Sequence, residues 1–134
     1  MIVDTSALVA IAKDEPAKER LMRAVLTDQG QPLISAANAL EAAIVIDSRR
    51  EPVMSRKLDE IRDGLGIAIA PVTATQVDIA RQAYRDFGRG SGHPARLNFG
   101  DCFAYALAID SGEPLLWVGD DFVHTGIAAA LPSD

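Results

Sequence analysis

The sequence is short of most features that would place it at once. One cysteine, Cys102, and two histidines stand in 134 residues. That excludes an internal disulfide and leaves no zinc-ligand spacing. Aromatic residues are 5% of the chain although apolar residues are 49%, so the core has to be aliphatic and rich in alanine. No apolar run reaches the roughly 20 residues of a membrane span. No basic leader precedes Ile2-Val3-Asp4, and a cytoplasmic protein with no membrane association is expected. There is no P-loop, no dinucleotide glycine fingerprint and no serine elbow. Positive charge is scarce as well: 13 Lys and Arg face 19 Asp and Glu, for a net charge of −6. This argues against coating nucleic acid by bulk electrostatics. It does not exclude an enzyme acting on nucleic acid, because acids gathered to hold cations lower the net charge by themselves. The basic residues are local: Arg49-Arg50, Arg56-Lys57, and Arg85, Arg89 and Arg96 around a glycine-rich stretch.

What is present is a regular alternation. Ile2-Val3-Asp4 reads as a short strand ending in an acid, with Thr5 or Ser6 expected to cap a helix through Ala12. Pro16 opens a second helix with Leu21, Met22, Val25 and Leu26 on one face, closed by Gln29-Gly30. Pro32-Leu33-Ile34-Ser35 is a second strand, and Ser35 is the expected cap of a helix over 36–50. A helix from Pro52 runs to Gly64, and 67–72 reads as a third strand. Thr73 or Thr75 starts a helix through Tyr84, and 88–94 is a loop by composition. Asn98 begins a helix that Gly112 and Pro114 end. Residues 115–118 read as a strand, and 127–130 as a candidate edge strand. Short apolar strands alternating with helices predict one α/β domain over 1–134, a parallel sheet of about four to five strands sandwiched by helices.

The acids carry the chemistry. Asn98 and Asp101 have the spacing of a capping box, and Asp101 alone could simply complement the helix dipole for roughly 0.3–1 kcal/mol. The other acids change that reading. Asp4 and the pair Asp120-Asp121 fall at carboxyl ends of strands, where open parallel sheets bind ligands. Glu41 has Ala37, Ile44, Val45 and Ser48 as its helical neighbours, which predicts a carboxylate in an apolar stripe. Such a group has to be paired, protonated or bound to a cation. Asp101 opens the helix that precedes the last strand, and sequence order leaves its membership of the site open. Two charges about 4 Å apart repel by about 4 kcal/mol at an effective dielectric of about 20, so converging carboxylates imply a divalent cation. All-oxygen ligands favour Mg²⁺ or Mn²⁺. His93 and His124 are isolated and read as loop or surface residues. Cys102 reads as a small buried hydrophobe. Thr5 or Ser6 could also hold a water beside Asp4, and the arginine-bearing loop could grip phosphate.

Four stretches carry a resemblance: Met1-Ile2-Val3-Asp4-Thr5-Ser6-Ala7-Leu8, the helix with Glu41, Leu97-Asn98-Phe99-Gly100-Asp101-Cys102, and Leu115-Leu116-Trp117-Val118-Gly119-Asp120-Asp121-Phe122. Together they resemble the PIN-domain ribonucleases, and more narrowly the VapC toxins of bacterial toxin–antitoxin pairs. The resemblance implies that Asp4, Glu41 and Asp101 meet at one site. Where many members have Thr-x-Asp at the last strand, this chain has Trp117-Val118-Gly119, and Asp121 is preferred to Asp120 as the fourth acid. It further implies an Mg²⁺- or Mn²⁺-dependent endoribonuclease with Asp4, Glu41, Asp101 and Asp121 as catalytic and metal-binding residues, a homodimer, an RNA substrate and a VapB-like antitoxin. Two rivals stand beside it: a degenerate PIN domain that only binds, and a phosphatase-like enzyme with Asp4 as nucleophile. The latter wants a second Asp where Ser6 stands.

Overall fold

The computed structural model describes residues 1–131. The elements run β1 (Ile2–Val3), α1 (Thr5–Ala12), α2 (Lys18–Thr27), β2 (Leu33–Ser35), α3 (Ala36–Asp47), α4 (Pro52–Gly64), β3 (Ala68–Ala70), α5 (Ala74–Phe87), α6 (Phe99–Ser111) and β4 (Leu115–Leu116). The strands form one parallel sheet in the order β3-β2-β1-β4, with Ile2 beside Leu33 on one side and Leu115 on the other. Buried on both faces, β1 and β4 have no polar alternation: Ile2, Val3, Leu115 and Leu116 are all fully enclosed.

Two cores follow from the pleat. Val3, Ile34 and Leu116 face Leu8 and Ile11 of α1, Leu21 and Val25 of α2, Ala42 and Ile46 of α3, and Leu58 of α4. Ile2, Ala70 and Leu115 face Ala80 and Ala83 of α5, Ala104 and Leu107 of α6, and Phe122. Each fully buried Leu or Ile contributes about 1.5–3 kcal/mol. The small alanines let α5 and α6 pack closely over the second face. No helix among the described residues is long and apolar enough to cross a membrane.

Several boundaries differ from the sequence expectation. Asp4, not Thr5 or Ser6, caps α1: its side chain accepts from Ser6 N. Helix α2 begins at Lys18, two residues after Pro16, without a side-chain cap. Helix α3 stops at Asp47, and Arg50 turns the chain with a left-handed φ of 55°. Ser35 sits at the cap position of α3, but its hydroxyl makes no capping bond and has no partner. Strand β4 ends at Leu116 because the backbone beyond it leaves the sheet, Val118 N donating to Ser6 Oγ. The candidate edge strand over 127–130 reduces to one parallel bridge between Ala129 and Leu115.

One topological consequence builds the site. A helix that joins parallel strands runs against them. The first turns of α1 and α3, which follow strands, and of α6, which feeds one, therefore all lie at the carboxyl edge of the sheet. Asp4, Glu41 and Asp101 sit in or beside those turns.

Candidate active site

Asp4 is 4% exposed and closes β1. Its Oδ2 accepts from Ser6 N at 3.0 Å and from Ser6 Oγ at 2.6 Å. The same Ser6 hydroxyl accepts from Val118 N at 3.0 Å, tying the end of β4 to the carboxylate. Burial pushes the Asp4 carboxyl up to about 6, against the two Ser6 bonds, and Glu41 adds to the rise.

Asp101 is 8% exposed in the first turn of α6. Its Oδ2 accepts from Asn98 N at 3.0 Å, while Asn98 Oδ1 accepts from Asp101 N at 2.9 Å, a complete capping box. Burial is again the largest cause lifting its carboxyl, here to about 7. The Asn98 bond opposes the shift, and the fields of Asp4, Asp121 and Glu41 reinforce it.

Glu41 stands differently from the expectation. The face of α3 that is buried carries Asn38, Ala42 and Ile46, while Ile44 is 58% exposed. The apolar stripe of Ala37, Ile44 and Val45 is thus an outer surface with Glu41 half-buried at its edge. The carboxylate is held: Oε1 accepts from Thr5 Oγ1 and, at 3.4 Å, from Asn38 Nδ2. Asn38 is fully buried, and its Nδ2 also donates to Gly100 O at 2.9 Å. Both partners of that nitrogen are acceptors, which fixes the orientation of the amide.

Asp120 and Asp121 are exposed. Of the two, Asp121 is the one whose field reaches Asp101. Both line a cavity of about 250 Å³ with Arg89, Arg96 and His124. His93 is a structural residue: Nδ1 accepts from Ala95 N at 3.1 Å and the ring meets Phe87 edge-on. Cys102 is buried, its thiol pushed up to about 11 by burial and by Asp101, which leaves it unreactive.

None of the ion pairs among the described residues neutralises Asp4, Glu41, Asp101 or Asp121. Nor do three acidic side chains there close on one point as a ready-made cage. The donor set is two enclosed carboxylates, Asp4 and Asp101, with Glu41 and Asp121 around them. An all-oxygen set of this kind suits a hard divalent cation.

Four residues that shape the site escape the acid pattern: Thr5, Ser6, Asn38 and Gly100. Two had a signal. Asn38 is a lone amide in an alanine-rich helix, and Gly100 is a glycine where a better helix former would be expected.

The sheet is parallel, with Asp4, Glu41 and Asp101 in or beside the turns at its carboxyl edge, and the PIN-domain family model matches residues 1–128. Ribonuclease VapC28 of Mycobacterium tuberculosis is 56% identical over 131 residues, covering 98% of this chain and 98% of that protein. Ribonuclease VapC42 of the same species is 50% identical over 130 residues, covering 97% and 98%. The chain belongs to the VapC ribonucleases of the PIN-domain family. In fold it is similar to the crystal structure of M. tuberculosis VapC20, a sarcin-ricin loop cleaving toxin, with a TM-score of 0.74, 20% identity and 98% of each chain covered.

Proposed function

We propose that this protein is the toxin of a toxin–antitoxin pair, an endoribonuclease that hydrolyses RNA phosphodiester bonds with Mg²⁺ or Mn²⁺. One observation carries the reading: Asp4 and Asp101, far apart in the sequence, are both buried, Asp101 lies in the field of Asp4, and no ion pair among the described residues involves either. Evolutionary kinship to named ribonucleases supports it.

Asp4 and Asp101 would hold the metal, with Glu41 and Asp121 flanking it. When bound, a divalent cation neutralises phosphate charge and acidifies a water. The protein's own part is positional. Ser6 and Asn98 lock the two aspartates in single rotamers, and Glu41, with Oε1 committed to Thr5 and Asn38, offers Oε2 to orient the attacking water. Hydrolysis by water does not require the ribose 2′-OH, so preference for RNA has to come from groove contacts. Arg89 and Arg96 border the acids and suit that task. The phosphatase alternative is weaker still, because the Ser6 hydroxyl is spent holding Asp4.

Two partners belong to the reading. The exposed apolar residues Leu40 and Ile44 of α3 and Phe99 of α6 suit a homodimer interface. Sedimentation should find a dimer that Ile44→Asp splits; a dimer that survives the change places the interface elsewhere. A VapB-like antitoxin would insert an arginine among Asp4, Glu41 and Asp101, since its planar fork bonds carboxylates and stays charged when buried. Arginine-to-alanine changes in that partner should release cleavage. The central test is cleavage of total cellular RNA by the purified protein with Mn²⁺, with excess EDTA, and with Asp101→Asn. Activity that survives EDTA removes the metal from the mechanism.

A further inference from the structure

Gly100 is the second residue of α6, and its backbone does not need to be glycine. It is absent from the residues with left-handed φ, and it lies within a regular helical turn. Alanine is the better helix former at such a position. The reason for glycine lies in space. A Cβ on Gly100 would fall 2.7 Å from both Oε1 and the carboxyl carbon of Glu41, and closer still to Oε2. It would meet no other heavy atom so closely. The Glu41 carboxylate therefore rests directly on the Cα of Gly100, in the gap that a missing side chain leaves.

The surrounding bonds bring the two elements together there. Asn38 Nδ2 spans from Glu41 Oε1 to Gly100 O, joining α3 to the first turn of α6. The single Thr5 hydroxyl hydrogen goes to Glu41 Oε1, the nearer acceptor, with Asn38 O 3.2 Å from the same oxygen, adding α1 to the junction. Asp101 follows Gly100 directly, so the seat for Glu41 and the Asp101 carboxylate share one turn of backbone.

We infer that Gly100 is a positioning residue for RNA cleavage: its bare Cα seats the Glu41 carboxylate beside Asp101, and any side chain there displaces that carboxylate while sparing the fold. This rests on the reading that Glu41 takes part in cleavage. The group that has to yield is the far end of a flexible side chain, not backbone, so Gly100→Ala should fold normally.

The test is a double-mutant cycle of Gly100→Ala and Glu41→Gln, read as single-turnover cleavage of a quenched fluorescent RNA of mixed sequence in Mn²⁺. Melting temperature and RNA binding are measured alongside. Gly100→Ala should melt at or above the parent temperature, bind RNA within about 2-fold and cleave at least 10-fold more slowly. Added to Glu41→Gln, it should change the rate by less than 2-fold, because the group it displaces is already lost. Glu41→Gln cleaving at the parent rate would overturn the role of Glu41 and this inference with it. A slow Glu41→Gln beside a fully active Gly100→Ala would overturn the inference alone. So would a Gly100→Ala that fails to fold, or one whose loss is undiminished in the Glu41→Gln background.

Discussion

At the scale of single residues, the site is an arrangement that folding alone does not favour. Asp4 and Asp101 both hold their protons more tightly than an exposed aspartate, burial being the largest cause in each. The sign of the pH effect follows. Their pKa values are raised from an ordinary 3.8 to about 6 and about 7, so between those limits the folded state binds more protons than the unfolded chain. In the metal-free protein, stability from these two groups is present in full below about pH 4 and is lost as pH climbs through 6 and 7. Asp4→Asn and Asp101→Asn keep an oxygen to accept from Ser6 and from Asn98 N, and remove the charge. Each variant should abolish cleavage and melt at or above the parent temperature at pH 8, with a flatter dependence of melting temperature on pH. Thermal melts in EDTA from pH 4.5 to 8 check this. A parent protein that gains stability across that range contradicts the electrostatic account.

At the scale of elements, the first turn of α6 holds the most chemistry, and how much of it is legible depends on distance. The capping box of Asn98 and Asp101 can be read from the sequence because both partners lie within one turn. Asn98→Ala leaves Asp101 N without its acceptor and should cost about 1 kcal/mol. For a chain of this size that lowers the melting temperature by about 3–4 °C, and Asn98→Ser should restore most of it. Calorimetry of the two variants decides whether the box stabilises the turn. The cap of α1 is less legible, since Asp4, Thr5 and Ser6 are all good capping residues. Val118, more than a hundred residues away, fixes the outcome by engaging Ser6 Oγ. Glu41 shows the limit of helical periodicity. The pattern gives two adjacent faces of α3, one with Ala37, Ile44 and Val45 and one with Asn38, Ala42 and Ile46. Only packing against the sheet selects the second. The alternation of strands and helices is legible because it rests on runs of apolar residues. The contacts of Thr5, Asn38 and Gly100 with Glu41 are not, because each joins elements far apart in the chain.

At the scale of the whole molecule, a protein of net charge −6 has to manage both metal and polyanion. Metal binding to the folded state alone should raise the melting temperature, by an amount equivalent to about 2.7 kcal/mol at a hundred times the dissociation constant. Scanning calorimetry with Mn²⁺ should show the rise, and Asp4→Asn should blunt it; no rise in the parent would mean that the acids hold no ion. RNA poses the opposite problem, and the charge distribution meets it locally. Residues 81–96 carry four arginines against one aspartate. The loop that presents Arg89 and Arg96 is built and pinned: Ser91 Oγ donates to Gly88 O at 2.6 Å, Arg89 N to Leu97 O at 3.0 Å, and Leu97 N to Phe87 O at 2.9 Å. Both arginines open onto the cavity shared with Asp121, so a strand whose scissile phosphate lies over Asp101 has its neighbouring phosphates within their field. Each phosphate contact on single-stranded RNA steepens the fall of log affinity with log salt by roughly 0.7. Arg89→Ala with Arg96→Ala should therefore weaken binding evenly across sequences and flatten the salt slope by roughly 1.4. Arg49 and Arg50 follow α3 at the amino edge of the sheet, away from the acids, and Arg49 lies 3.9 Å from Glu51. Changing that pair to alanine should leave the slope alone. Binding of a catalytically silent Asp101→Asn parent to labelled RNA, titrated from low to moderate salt, measures all three slopes. If the loop variant keeps the parent slope, or the Arg49-Arg50 variant loses it, RNA does not cross the site by way of the Arg89–Arg96 loop.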